Sequence, residues 1–305
     1  MSLKRDLLFS RENIIPIQSF GFDNLPVINN IIFSTDNEEL KWVENCTSKI
    51  GKWRSKFRSA YIRWAISING LHLGQEKYSK TEWKSKNKFR IDCYRTKGNS
   101  TIKEPLIFWN GDAAAKAHFE TVNMIASYGI IDMYSLFEEF VFDFFRTYKF
   151  LNPKKFITGK DNKEIRKLYN DREKNPKEWE IAWKEKLDKW QRKKIYDGIE
   201  KTFIGFFNVT NLKKPNDYKV TSPETWAETL KSISILRNCL VHGTTTYPND
   251  LAEISKKPYG LGFNFKEGEK IELNTNHLMA IETFSDQLLN AINLSLIEFG
   301  NKNNG

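Results

Sequence analysis

The side chains best suited to chemistry in this chain stand in one short run, Arg237-Asn238-Cys239-Leu240-Val241-His242. Imidazole is the side-chain type that titrates nearest neutrality, so it can take up and return a proton. Guanidinium is a permanently charged planar fork that matches phosphate oxygens and can neutralise charge growing on phosphorus. Asn238 lies one turn before His242, where its amide can fix the ring's orientation and tautomer. The set suits proton transfer beside an anionic centre without help from a metal.

A helix must hold these residues. The stretch Thr221 to Gly243 reads as one: Thr221 and Glu224 have capping-box spacing, Pro223 is tolerated in a first turn, and Gly243 can adopt the left-handed conformation that ends a helix. At 3.6 residues per turn, Trp226, Leu230, Ile233, Leu240 and Val241 form one apolar stripe with Arg237 in its midst. Asn238 and His242 share another face, flanked by Ser234, Ile235 and Cys239. Arg237 and His242 are turned roughly 140° apart on an ideal helix, so one copy does not bring both onto one small ligand. Two copies meeting across a symmetric interface would.

The pattern Arg-Asn-x-x-x-His at a helix end, followed by Gly243, resembles the R-x(4–6)-H motif of the HEPN superfamily (higher eukaryotes and prokaryotes nucleotide-binding). The resemblance extends to Leu236 before the arginine and, in architecture, to about residues 112–299. It implies a mostly α fold: a four-helix bundle with the motif on its third helix, an N-terminal helical extension, and a small β-hairpin before the last helix. It also implies a metal-independent endoribonuclease acting as a homodimer on RNA, with Arg237, Asn238 and His242 catalytic and 2′,3′-cyclic phosphate products. The common setting in that family is host defence or toxin–antitoxin behaviour, with an antitoxin or defence-system protein as partner. Some members carry Tyr two positions after the histidine, where this chain has Thr244. The alternatives are a non-cleaving HEPN module that binds nucleic acid or nucleotide, and an unrelated helical interaction protein in which Arg237 only locks a bundle or dimer.

Other chemistries find little support. The remaining histidines, His72, His118 and His277, lack acids, cysteines or further histidines at ligand spacing, and Cys46, Cys93 and Cys239 lie far apart, so neither a metal site nor a disulfide framework is expected. No cofactor motif is present: there is no Walker loop, G-x-G-x-x-G, H-E-x-x-H or G-x-S-x-G. The chain carries 48 Lys and Arg against 38 Asp and Glu, a net charge of +10 that fits an anionic partner or simply a basic solvated surface. Without a signal-peptide pattern or a run of about 18 apolar residues, a soluble cytoplasmic protein with no membrane partner is expected.

Two regions are expected, an extension over 1–110 and a bundle over 111–300 with a basic helical insertion at 153–217. Residues 1–33 read as irregular chain with a short strand. Thr35 and Glu38 open a helix to about Asn69, buried through Val43, Cys46, Ile50, Trp53, Phe57, Ala60 and Trp64. Lys49, Lys52, Arg54, Lys56, Arg58 and Arg63 face outward, as a solvated basic face or a surface that tracks phosphates. Residues 70–110 form a variable loop or small β element, with strand alternation at Phe89–Tyr94.

The bundle helices are expected near 112–150, 177–207, 222–242 and 275–299, with Asn274 or Thr275 capping the last and a frayed tail at Asn301–Asn304. On the flank of the first, Glu138 and Glu139 are candidate partners for a buried Arg237; exposed acids on a helix edge are the competing reading. Glu138 and Ser234 are the possible supporting residues of the site. In the insertion, 18 Lys/Arg stand against 11 Asp/Glu. Its tryptophans keep the helical spacing of a core, although aromatics among lysines can also stack on single-stranded nucleic acid. The hairpin is expected over Gly262–Leu273, turning at Glu267-Gly268.

Overall fold

The computed structural model describes residues 30–85, 89–257 and 259–304. Nine α-helices are found among them: α1 Lys41–Tyr78, α2 Thr81–Lys84, α3 Gly111–Leu151, α4 Lys163–Asn170, α5 Pro176–Lys194, α6 Ile199–Thr210, α7 Pro223–Val241, α8 Asn249–Ser255 and α9 Thr275–Asn303. Strands β1 (Phe89–Lys97) and β2 (Ser100–Trp109) form a two-stranded antiparallel sheet. The expectation of a mostly helical chain therefore holds. The segment expected to be irregular over 1–33 falls almost wholly outside the described residues.

The described chain divides into two compact units. One comprises Ala60–Gly129 with Glu272–Met279; the other comprises 30–59, Ile130–Ile271 and 280–304. In the first unit, β1 and β2 pair from Phe89↔Trp109 to Lys97↔Ser100, with a bulge at Ile91/Asp92. Gly98, at φ 59, occupies the first of the two loop positions, where a tight hairpin favours glycine. Tyr78 packs on Phe89 at 4.5 Å and stacks on His118 at 5.4 Å. Gly129 lets α3 approach closely: a Cβ there would lie 2.8 Å from Leu278 and 3.0 Å from Trp64.

The second unit holds the aromatic core. Val43, Cys46, Ile50 and Phe57 of α1 and Met133, Phe137, Phe140 and Phe144 of α3 are buried, as their spacing predicts. Rings then join helix to helix: Phe57 to Phe137 at 4.6 Å, Trp42 to Tyr148 at 4.8 Å, Trp42 to Phe299 at 5.5 Å, and Phe207 to Trp226 at 6.0 Å. With Trp42 also meeting Phe206 of α6 at 6.3 Å, these contacts bind α1, α3, α6, α7 and α9 into one core, because large rings bury the most apolar area per residue. A smaller core of Ile157, Trp183 and Leu187 sits between α4 and α5, with Trp179 stacked on Trp183 at 5.4 Å. The tryptophans of the basic insertion thus pack inward.

Several boundaries differ from expectation. Asn37, not Thr35, caps the start: its Oδ1 accepts the Glu39 amide ahead of a 3₁₀ turn, Glu38–Leu40. Thr35 instead accepts the Asn37 amide through Oγ1. The helix then passes Asn69 and Gly70 and runs to Tyr78. The expected helix over 177–207 is two helices, because Gly198 takes φ 89 and breaks the chain between α5 and α6. Asn274 caps α9 by accepting the Asn276 amide, and α9 continues through the tail to Asn303 rather than fraying.

The hairpin expected over Gly262–Leu273 does not form. Glu267-Gly268 does turn, with Gly268 at φ 77, but Lys270 makes an isolated antiparallel bridge to Thr246. The Tyr247 amide donates to Glu269 O and the Ile271 amide to Thr245 O. The segment after the turn therefore pairs with the loop that follows His242, not with Phe263–Phe265.

Candidate functional site

All the candidate residues lie in the second unit, on α7 and on the facing stretch of α3. Ser222 is the N-cap of α7, accepting the Thr225 amide, while the Thr225 hydroxyl accepts the Ser222 amide. The capping box is therefore Ser222/Thr225, one residue on from the Thr221/Glu224 expected. Pro223 stands at the first helical position, which requires the cap to be the residue before it. At the other end His242 is the C-cap and Gly243 takes φ 71. The Thr244 amide reaches back to Cys239 O at 2.8 Å, closing the turn in a Schellman arrangement.

The apolar stripe is buried through Trp226, Leu230, Ile233 and Leu236. Beyond Arg237 it surfaces: Leu240 is half-buried and Val241 is 47% exposed. Cys239 stays buried, and burial pushes its thiol above the ordinary range.

Arg237 is half-buried between these regimes. Its guanidinium donates to Asn238 Oδ1 at 2.9 Å and lies 5.6 Å from the Tyr134 ring, within cation–π range. Its Nε is buried and makes no hydrogen bond. The Tyr134 hydroxyl sits 3.2 Å from Ser234 Oγ. Burial pushes the Tyr134 phenol up to about 12 despite the Ser234 bond, and neighbouring Glu138 adds to the rise. The Glu138 carboxyl is raised above the usual range by burial, against the opposing pull of Tyr134 and Arg237. Glu138 is thus the acid that feels Arg237, yet no ion pair within 4 Å joins them among the described residues. Glu139 lies elsewhere, 3.7 Å from Lys56.

The structure therefore brings Arg237, Asn238, Ser234 and Glu138 together around a residue that sequence reasoning missed, Tyr134. A signal was present, since Tyr134 precedes Glu138 by one turn of the same helix. His242 stands apart from them: its ring is exposed and makes no hydrogen bond among the described residues. Asn238 gives its carbonyl oxygen to Arg237 rather than to the imidazole. No group of three or more His, Cys, Asp or Glu among the described residues is placed to hold a metal ion.

Comparison with protein-family models, curated proteins and solved structures finds no match to this chain. Among the described residues, no helix is long and apolar enough to cross a membrane.

Proposed function

We propose that this chain is a metal-independent endoribonuclease of HEPN type, working as a homodimer in the cytoplasm in a defence or toxin-like role held in check by a partner protein. The observation that carries the reading is the state of the last turn of α7. A half-buried guanidinium retains an unbonded Nε, the apolar stripe emerges at Leu240 and Val241, and an unengaged imidazole ends the helix. A second α7 laid across this turn would cover the apolar residues and set His242 of one copy beside Arg237 of the other.

In that site an imidazole takes the 2′-hydroxyl proton as the 2′-oxygen attacks phosphorus. Arg237 receives the charge that grows on the phosphate oxygens, and the departing 5′-oxygen leaves with a proton from a protonated imidazole. The products are a 2′,3′-cyclic phosphate and a 5′-hydroxyl.

The test is cleavage of end-labelled RNA in excess EDTA. Cleavage is expected with the parent protein and absent from His242→Ala, with RNA binding retained. The Arg237–Asn238 bond favours a second reading, a HEPN module that binds nucleic acid or nucleotide without cutting it. Retarded but intact RNA with the parent protein would select that reading.

A further inference from the structure

The basic residues of α1 are not equivalent. Arg54 is pinned to Asp286 through two bonds, Nε–Oδ1 at 2.8 Å and Nη2–Oδ2 at 3.0 Å, and Arg58 reaches Glu282 and Asp286 at 3.5 and 3.6 Å. These two arginines tie α1 to α9. The lysines one step round the helix, Lys49, Lys52 and Lys56, instead line an open cleft of about 570 Å³ with Glu139, Asp143 and Arg146 of α3.

Within the cleft the charges are unequally used. Lys49 is committed to Asp143 at 2.7 Å and to Thr147 Oγ1 at 2.9 Å, and Arg146 to Asp188 at 2.6 Å. Lys52 is exposed and has no acidic partner among the described residues. Lys56 rests 3.9 Å over the Trp53 ring and reaches only the exposed Glu139, at 3.7 Å. An exposed pair of that length adds little stability, so a stronger anion can displace Glu139.

We infer that this cleft binds the sugar–phosphate backbone of a single RNA strand, with Lys52 and Lys56 each neutralising one phosphate. The inference rests on the ribonuclease reading and extends it to where substrate is held away from the reacting bond. Lys49, Lys52 and Lys56 fall on one face of α1 along about 10 Å of its axis, a row of cations suited to a chain that carries one charge per nucleotide. The rings that line the cleft, Trp53 and Phe142, are buried, and the Trp53 indole N–H is already donated to Asp143 at 3.0 Å. Among the described residues that line the cleft, no exposed ring offers a base a surface to stack on, so the cleft grips backbone without reading sequence.

The experiment uses the full-length His242→Ala protein, to separate binding from cutting, and a fluorescein-labelled twelve-nucleotide oligouridylate followed by anisotropy across a KCl series. Adding Lys52→Glu and Lys56→Glu should weaken binding about tenfold or more, and the slope of log K against log salt should become shallower by about 1.4, two contacts at about 0.7 each. Lys116→Glu with Lys266→Glu changes net charge equally at exposed sites elsewhere and should leave the slope unaltered. Lys52→Gln with Lys56→Gln should repeat the loss of slope, which keeps the test valid if the glutamates unfold the chain; circular dichroism checks helicity. Oligoadenylate should bind within a few-fold of oligouridylate.

An unchanged slope in the cleft variants, with parent binding intact, would sink the cleft and leave the ribonuclease reading standing. Failure of the parent to bind any RNA would remove both. Poly-glutamate that displaces the probe as well as unlabelled RNA would mark the cleft as a dock for acidic protein and overturn the assignment.

Discussion

Two inactive proteins, one carrying Arg237→Ala and the other His242→Ala, should regain cleavage when they share a dimer. On an ideal helix, five residues separate the two positions by about 140° of rotation and about 7.5 Å of rise. With side chains near 5–6 Å from the axis, the two positions lie roughly 13 Å apart, well beyond the roughly 3 Å at which both must touch one phosphate. The structure agrees with the divergence: Arg237 turns inward to the Tyr134 ring, while His242 ends the helix with its ring exposed. If two antiparallel copies of α7 each supply half of a site, a heterodimer holds one site with both groups missing and one with both intact. Differently tagged chains, co-expressed and purified through both tags, should then show about half of wild-type cleavage per dimer, against none in either homodimer. The readout is end-labelled RNA in EDTA under single-turnover conditions. Persistent silence in verified heterodimers would refute the shared site, leaving a site within one chain or none at all.

Glu138→Gln should be more stable than wild type at pH 7, and the gap should close toward pH 4. The folded carboxyl is raised by burial, so its ionisation disfavours the fold, and that loss sets in as pH climbs through the raised value; urea titrations at pH 4, 5.5 and 7 would show it, and a gap that widens in acid would reverse the sign. Ser222→Ala should cost about 1 kcal/mol by removing the side chain that accepts the Thr225 amide, while Thr221→Ala should cost little. Comparing their urea midpoints decides which residue caps α7.

Much of α7 is legible in its residues, because Pro223 and Gly243 have few other uses at those spacings. The one-residue error in the cap arose from two adjacent hydroxyls, Thr221 and Ser222. Pro223 resolves them, since the residue before a proline at the first helical position is the cap. The long apolar repeats of α1 and α3 likewise survive in the fold, where Phe57, Phe137 and Phe140 are almost fully buried. Periodicity misled where two runs were joined across a breaker: Trp179, Trp183, Leu187 and Trp190 keep helical spacing before Asp197-Gly198 and Ile199 and Phe203 keep it after, and reading the two runs as one helix hid the turn. Strand alternation at Lys270–Leu273 was a real extended segment with the wrong partner assigned. Alternation marks that a segment is extended, and its partner, Thr245–Tyr247, is fixed only by tertiary packing. Tyr134 escaped notice for the same reason, since contact between helices leaves no spacing to read.

Three long helices, α1, α3 and α9, each contribute residues to both compact units, and Ala60–Gly129 joins Glu272–Met279 across the whole of Ile130–Ile271. Neither unit is a contiguous stretch of the gene. A single recombination breakpoint therefore always severs one of them, and neither can be shuffled into another protein or lost by a terminal deletion without taking part of the other.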